Sequence, residues 1–203
     1  MPPRNGQKPV VTTAHTAAQL GSVQDPKPLP IYIGIDPGKH GGIAVLWEAH
    51  GTEPIRAQKM PETDMDICSL FRRLSGCHGP ASTWESRRVF AVIEQVQGYI
   101  GSGEDGEGKH PGSRMFKFGM NYGALKMALC AASIPYETVT PQKWQRALGI
   151  PPRKAKAGET KSQFKTRLKA KAQALFPGVK VTKDVADALL IAEYGKRLKE
   201  GLL

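Results

Sequence analysis

Four carboxylates stand where apolar segments begin or end. Asp36 closes the apolar run 31–36 and is followed at once by Pro37 and Gly38, and Glu94 follows the four apolar residues 90–93. Asp184 and Asp187 lie three apart at the start of a long apolar stretch. Three apart on a helix, two side chains share one face. An acid at the end of a strand is held rigidly, because the sheet ladder fixes its backbone. Each acid also has a plain reading: Asp often starts a Pro-Gly turn, Asp suits the start of a helix dipole, and a strand-end Glu can sit in solvent. Taken together, acids among apolar residues need a cation or other partners. Oxygen ligands of this kind suit Mg²⁺, with Mn²⁺ as the alternative. Two such ions about 3.5–4 Å apart would activate a water and stabilise the leaving 3′ oxygen of a phosphodiester.

The elements that must position these acids are legible from periodicity. Residues 31–36 and 42–47 read as a β-hairpin, and 52–60 as a third strand completing a meander. Asp64 reads as the N-cap of a short helix with Ile67, Leu70, Phe71 and Leu74 at helical spacing, ended by Gly76. Residues 89–95 read as a buried strand. Residues 97–112 are glycine-rich and carry Glu104, Asp105, Glu107, Lys109 and His110; such a segment is either disordered or a functional loop that orders on a ligand. A long helix is expected over 113–133, where Gly119 and Gly123 hint at tight helix packing or a dimer face. Then come a short strand at 135–139, a helix at 142–148 with Thr140 and Pro141 as N-cap and N1, and a helix at 182–198 capped by Thr182. Strands alternating with helices indicate an α/β fold.

The chain has 203 residues, enough for one α/β domain with a real core. We assign residues 1–30, which show no helix or strand periodicity, to a disordered leader and 31–203 to the folded domain. An organelle transit peptide is a lesser alternative for the leader, in which Arg4 is the one arginine. Net charge is +11 with a pI near 9.7, which suits a polyanion partner. Residues 143–183 hold twelve Lys and Arg against Glu159 alone, and so account for a charge equal to that of the whole chain. A solvated helix face usually mixes signs, so this block, which includes Lys165, favours phosphate contact. Cys68, Cys77 and Cys130 have neither disulfide-framework nor zinc-ligand spacing, and no run reaches the roughly 18 apolar residues needed to cross a bilayer. A soluble intracellular protein is expected.

The chain resembles the RuvC-like Holliday junction resolvases of the RNase H superfamily. The likeness rests on IGIDPG at 33–38, VIEQ at 92–95 and DVADALLIA at 184–192, and covers about residues 31–194. Sugar kinases and related ATPases also open with IGID and Gly, but lack the Asp-x-x-Asp-Ala ending. The resemblance implies an RNase H-like fold, a mixed five-stranded sheet with helices on both faces. It implies Asp36, Glu94, Asp184 and Asp187 as ligands of two Mg²⁺ or Mn²⁺ ions, and Lys161, in GETKSQ, beside the scissile phosphate. Lys143, in TPQKW, is implied as a DNA contact, with Trp144 standing where the family often has valine or lysine. The helix with Gly119 and Gly123 matches the family's dimerising helix. The loop 97–112 departs from the common bacterial form and is more like that of chloroplast-type resolvases; Gln95, Gln97 and Tyr99 are candidates to read or unstack bases there, against a rival role in loop packing. The implied activity is metal-dependent cleavage of four-way DNA junctions by paired symmetric nicks from a homodimer, and the implied setting is the bacterial cytoplasm or a phage. The rivals are a related nuclease acting on other branched DNA or RNA, and a junction-binding protein without turnover.

Overall fold

The computed structural model describes residues 30–47, 55–76, 88–95 and 112–203, with the backbone alone at 112–114. The leader therefore lies outside the described residues except for Pro30, as does the glycine-rich loop apart from Gly112.

Five strands make one sheet: β1 (Pro30–Asp36), β2 (Gly42–Trp47), β3 (Arg56–Lys59), β4 (Arg88–Glu94) and β5 (Tyr136–Val139), in the order β3-β2-β1-β4-β5. The first three form the antiparallel meander, and β4 and β5 add to it in parallel. The third strand is shorter than its sequence span of 52–60: residues 56–59 pair with β2, and 52–54 are outside the described residues.

Period-two alternation sorts the apolar side chains into two cores, one on each face. Ile31, Ile33, Ile35, Ile43, Val45, Ala91 and Ile93 pack under α1 (Asp64–Ser75) and α2 (Gly112–Ala131). Tyr32, Ala44, Leu46 and Val92 pack under α3 (Pro141–Ala147), α4 (Lys161–Leu175) and α5 (Lys183–Lys199). Helices thus cover both faces of the sheet, as the sequence led us to expect. Among the described residues no helix is long and apolar enough to cross a membrane.

The caps explain the helix boundaries, with one correction. Thr63, not Asp64, caps α1: its hydroxyl oxygen accepts from the Asp66 amide at 3.1 Å and its O–H donates to the Asp66 carboxylate at 2.7 Å. Asp64 and Asp66 sit in the first turn, where the helix dipole favours them. Thr140 caps α3 with Pro141 following, and Thr160 with Gln163 forms a capping box at α4. Thr182 occupies the cap position of α5 without a side-chain cap bond.

Helix α5 lies unusually close to the sheet. A Cβ on Gly34 would stand 2.1 Å from the Ala188 carbonyl oxygen and 2.2 Å from the Ala192 nitrogen. Glycine on β1 and small residues on α5 let the two backbones meet, and this contact brings the start of α5 beside the end of β1.

Candidate active site at the ends of two parallel strands

The ladder between β1 and β4 ends at the pair Ile35↔Ile93, so Asp36 and Glu94 follow side by side on neighbouring parallel strands. Gly34 and Val92 face α5, and two residues on in each strand Asp36 and Glu94 return to that face. In open α/β sheets this end of parallel strands is the usual place for ligands. Helix α5 contributes Asp187, which is 5% exposed and the only buried charged residue among those described. The turn after Asp36 is tied down, because the Gly38 amide donates to Asn121 Oδ1 on α2 at 3.0 Å.

The electrostatics of the cluster are those of crowded acids with too little positive charge. Burial pushes the Asp36 carboxyl from 3.8 up to about 8; the charges of Asp187 and Glu94 add to the rise and Lys165 opposes it. Burial also raises Glu94, partly offset by a hydrogen bond from Trp144, and Asp187 raises it further. The Lys165 ammonium contacts Asp187 Oδ2. Burial disfavours its charge, but the carboxylates of Asp187, Asp36 and Glu94 outweigh burial and hold it above its ordinary value. Asp187 Oδ1 remains buried with no hydrogen-bond partner among the described residues. A buried carboxylate oxygen without a donor is costly.

These observations bear on a metal. Among the described residues no three His, Cys, Asp or Glu side chains already form a metal-holding group, and the cation that faces the acids is Lys165. The donor set nevertheless fits a hard divalent ion. It consists of carboxylate oxygens only, one of them is orphaned, and their mutual repulsion is what a cation relieves.

Glu94 has a second anchor. The Trp144 indole N–H donates to its Oε2 at 2.8 Å, from a ring that is fully buried in the α3–α4–α5 core.

The other candidates sort by distance from this cluster. Asp184 does not share the burial of Asp187 that an apolar helix led us to expect: its side chain is 31% exposed and pairs with Lys59 of β3 at 3.1 Å. Val185 and Ala186 in the same first turn of α5 are buried, so Asp184 is the residue of that turn that stands at the rim. Lys161 is the exposed first residue of α4, one turn before Lys165 on the same face. Lys143 is exposed on α3 and Gln95 is exposed just past β4, while Gln97 and Tyr99 lie outside the described residues. The contacts of Lys165 with Asp187, of Trp144 with Glu94 and of Lys59 with Asp184 are new. Spacing carried a signal for the first alone, four residues on from Lys161.

The architecture is the RNase H-like α/β fold. A structure described as T. thermophilus RuvC in complex with Holliday junction substrate is similar to it, with 16% identity, a TM-score of 0.51, and coverage of 85% of this chain and 97% of that one. A Thermus thermophilus RuvC structure is 17% identical with a TM-score of 0.49 over the same shares. No protein-family model matches the sequence, and no curated protein matches it.

Proposed function

We propose that this protein is a divalent-metal-dependent, structure-selective endonuclease that resolves four-way DNA junctions by paired symmetric nicks from a homodimer. The observation that carries the reading is the meeting of Asp36, Glu94 and Asp187 around the Lys165 ammonium, with a buried carboxylate oxygen left unpartnered among the described residues. The fold shared with a RuvC in complex with Holliday junction substrate supports the choice of DNA structure.

Asp36, Glu94 and Asp187 would hold the metal, with Asp184 joining from the rim once released from Lys59. Two Mg²⁺ or Mn²⁺ ions per site are proposed; when bound, they supply a nucleophile at neutral pH and charge stabilisation at the leaving oxygen. Lys165 keeps the acids compensated while the site is empty of substrate and offers positive charge to the phosphate. Lys161, one turn nearer solvent, and Lys143 meet the phosphodiester backbone. Arg167 braces this basic surface: it donates to Glu159 Oε1 at 3.1 Å and to the Pro151 and Pro152 carbonyls at 2.9 and 3.2 Å, holding the segment with Arg153, Lys154 and Lys156 against α4.

The homodimer is supported by α2. Phe116, Met120 and Met127 are exposed there, and a Cβ at Gly119 or Gly123 would meet nothing within 4 Å. Exposed large apolar side chains on one helix suit a second copy.

The test uses labelled four-way junction and linear duplex, each with Mg²⁺ or EDTA. Mg²⁺-dependent nicking of the junction alone is expected. Equal cleavage of both substrates would remove the structure-selective reading, and junction binding without nicking would favour a binding protein.

Lys165→Ala is expected to lower the nicking rate about 100-fold while junction affinity changes by less than about 3-fold. Lys161→Ala should cost less rate. Parallel losses of rate and affinity for Lys165→Ala, read by single-turnover cleavage and gel shift, would make it only a phosphate anchor.

A further inference from the structure

Trp144 is an unusual residue to find against this site. Its ring lies in the core with Leu148, Ile150, Leu168 and Ala172, where any apolar side chain of similar volume would serve packing. Its one polar atom instead points at an acid of the cluster, 50 residues away in sequence. The geometry behind this is specific. The β4–β5 ladder pairs Glu94 with Val139, and the Gln95 amide donates to the Val139 carbonyl at 2.7 Å, so the end of β5 is pinned beside Glu94. Thr140 then caps α3 at once, and the Trp144 amide donates to the Thr140 carbonyl at 3.3 Å. One helical turn after the strand end, the indole is delivered to the carboxylate.

We infer that Trp144 is the positioning residue for Glu94, fixing one carboxylate oxygen by its indole N–H so that the other is presented to a divalent cation. This rests on the reading of Glu94 as a metal ligand. A hydrogen bond from a rigid, buried donor restricts the carboxylate to one orientation, the usual service of groups that lie behind metal ligands. Valine at this position would leave Glu94 without that donor.

The test replaces Trp144 alone by benzothienylalanine, which keeps the ring volume and exchanges N–H for sulfur. Mn²⁺ binding to the full chain is measured by electron paramagnetic resonance without DNA, and junction affinity in EDTA is measured beside it. Mn²⁺ affinity is expected to weaken about 10-fold, with junction affinity within about 2-fold. 5-Fluorotryptophan at 144, which keeps the N–H, should restore wild-type Mn²⁺ affinity. Leu148→Ala, a cavity in the same core, should lower stability and leave Mn²⁺ affinity intact. Trp144→Phe should have little further effect on Mn²⁺ affinity in a Glu94→Gln background. Unchanged Mn²⁺ affinity in the benzothienyl variant would overturn the inference, as would equal weakening by Leu148→Ala or no Mn²⁺ binding by the wild type. A wild type that binds Mn²⁺ with this dependence yet nicks no junction would overturn the proposed function and leave the role of Trp144 standing.

Discussion

Asp36→Asn should yield a protein that no longer nicks DNA and that, in EDTA at pH 8, is more stable than the wild type. In the folded state burial, with Asp187 and Glu94 beside it, pushes the Asp36 carboxyl to about 8, against 3.8 ordinarily. Between those values the folded protein holds a proton that the unfolded chain has released. Stability contributed by this group is therefore fully present below about pH 4, falls as pH rises, and levels off above about pH 8. The limiting slope is about 1.4 kcal/mol per pH unit; allowing for partial exposure and relaxation, a total of roughly 1–3 kcal/mol is expected. Asparagine keeps the shape without the charge, so its advantage should open across that window. Divalent metal should narrow the gap by stabilising the wild type, and wild-type metal affinity should rise with pH up to about 8, because the ion must displace the proton. Thermal melts of both proteins in EDTA at pH 5, 7 and 8.5 read this directly. Parallel curves at all three values would mean that Asp36 is not held in a desolvated acidic cluster.

The second large effect is expected at Gly34. In Gly34→Ala the new Cβ would stand 2.1 Å from the Ala188 oxygen, 2.2 Å from the Ala192 nitrogen and 2.8 Å from the Ala192 Cα. All three are backbone atoms, so no side-chain rotation relieves the clash, and α5 must lift from β1. Overpacking commonly costs about 1–3 kcal/mol, and this rigid case should reach or exceed the upper end. Because α5 carries Asp187, the same displacement should lower nicking in the molecules that still fold. Gly195→Ala is the control: its Cβ would meet the Val92 Cγ2 methyl at 2.8 Å, a contact that a side chain can partly relieve, and about 1 kcal/mol is expected. Urea titrations of the two variants should differ clearly; equal midpoints would mean that the β1–α5 approach is looser than its geometry.

What the sequence disclosed and what it withheld follow the same physical divide. The ends of β1 and β4 were legible because a charged residue interrupts an apolar run, and their common face follows from period-two alternation at Gly34 and Val92. The close contact of α5 with β1 was not, since a glycine in a strand and alanines in a helix become meaningful only once they meet. The two aspartates of α5 share a face, yet Asp187 is buried against the ends of β1 and β4 while Asp184 is part-exposed and pairs with Lys59 at the end of the meander, a difference that spacing alone does not carry. Lys165 shows in the sequence only as a cation of the basic block one turn on from Lys161, and Trp144, in a short helix, carries no signal at all; their contacts with Asp187 and Glu94 come from 22- and 50-residue separations closed by the fold. The Asp64 assignment went astray by one residue because Thr63 and Asp64 are both good caps, and the choice fell to the hydroxyl that reaches Asp66.

Paired, metal-dependent incision at a four-way junction can be read on a supercoiled plasmid that extrudes a cruciform, in single-turnover reactions with the full chain and Mg²⁺. Two nicks placed symmetrically within one binding event convert the circle to a linear product, whereas independent nicks release the supercoiling and leave a nicked circle. Linear product is expected with wild type, and neither product with Asp36→Asn or in EDTA. Nicked circle alone, or cutting that persists in Asp36→Asn, would contradict it.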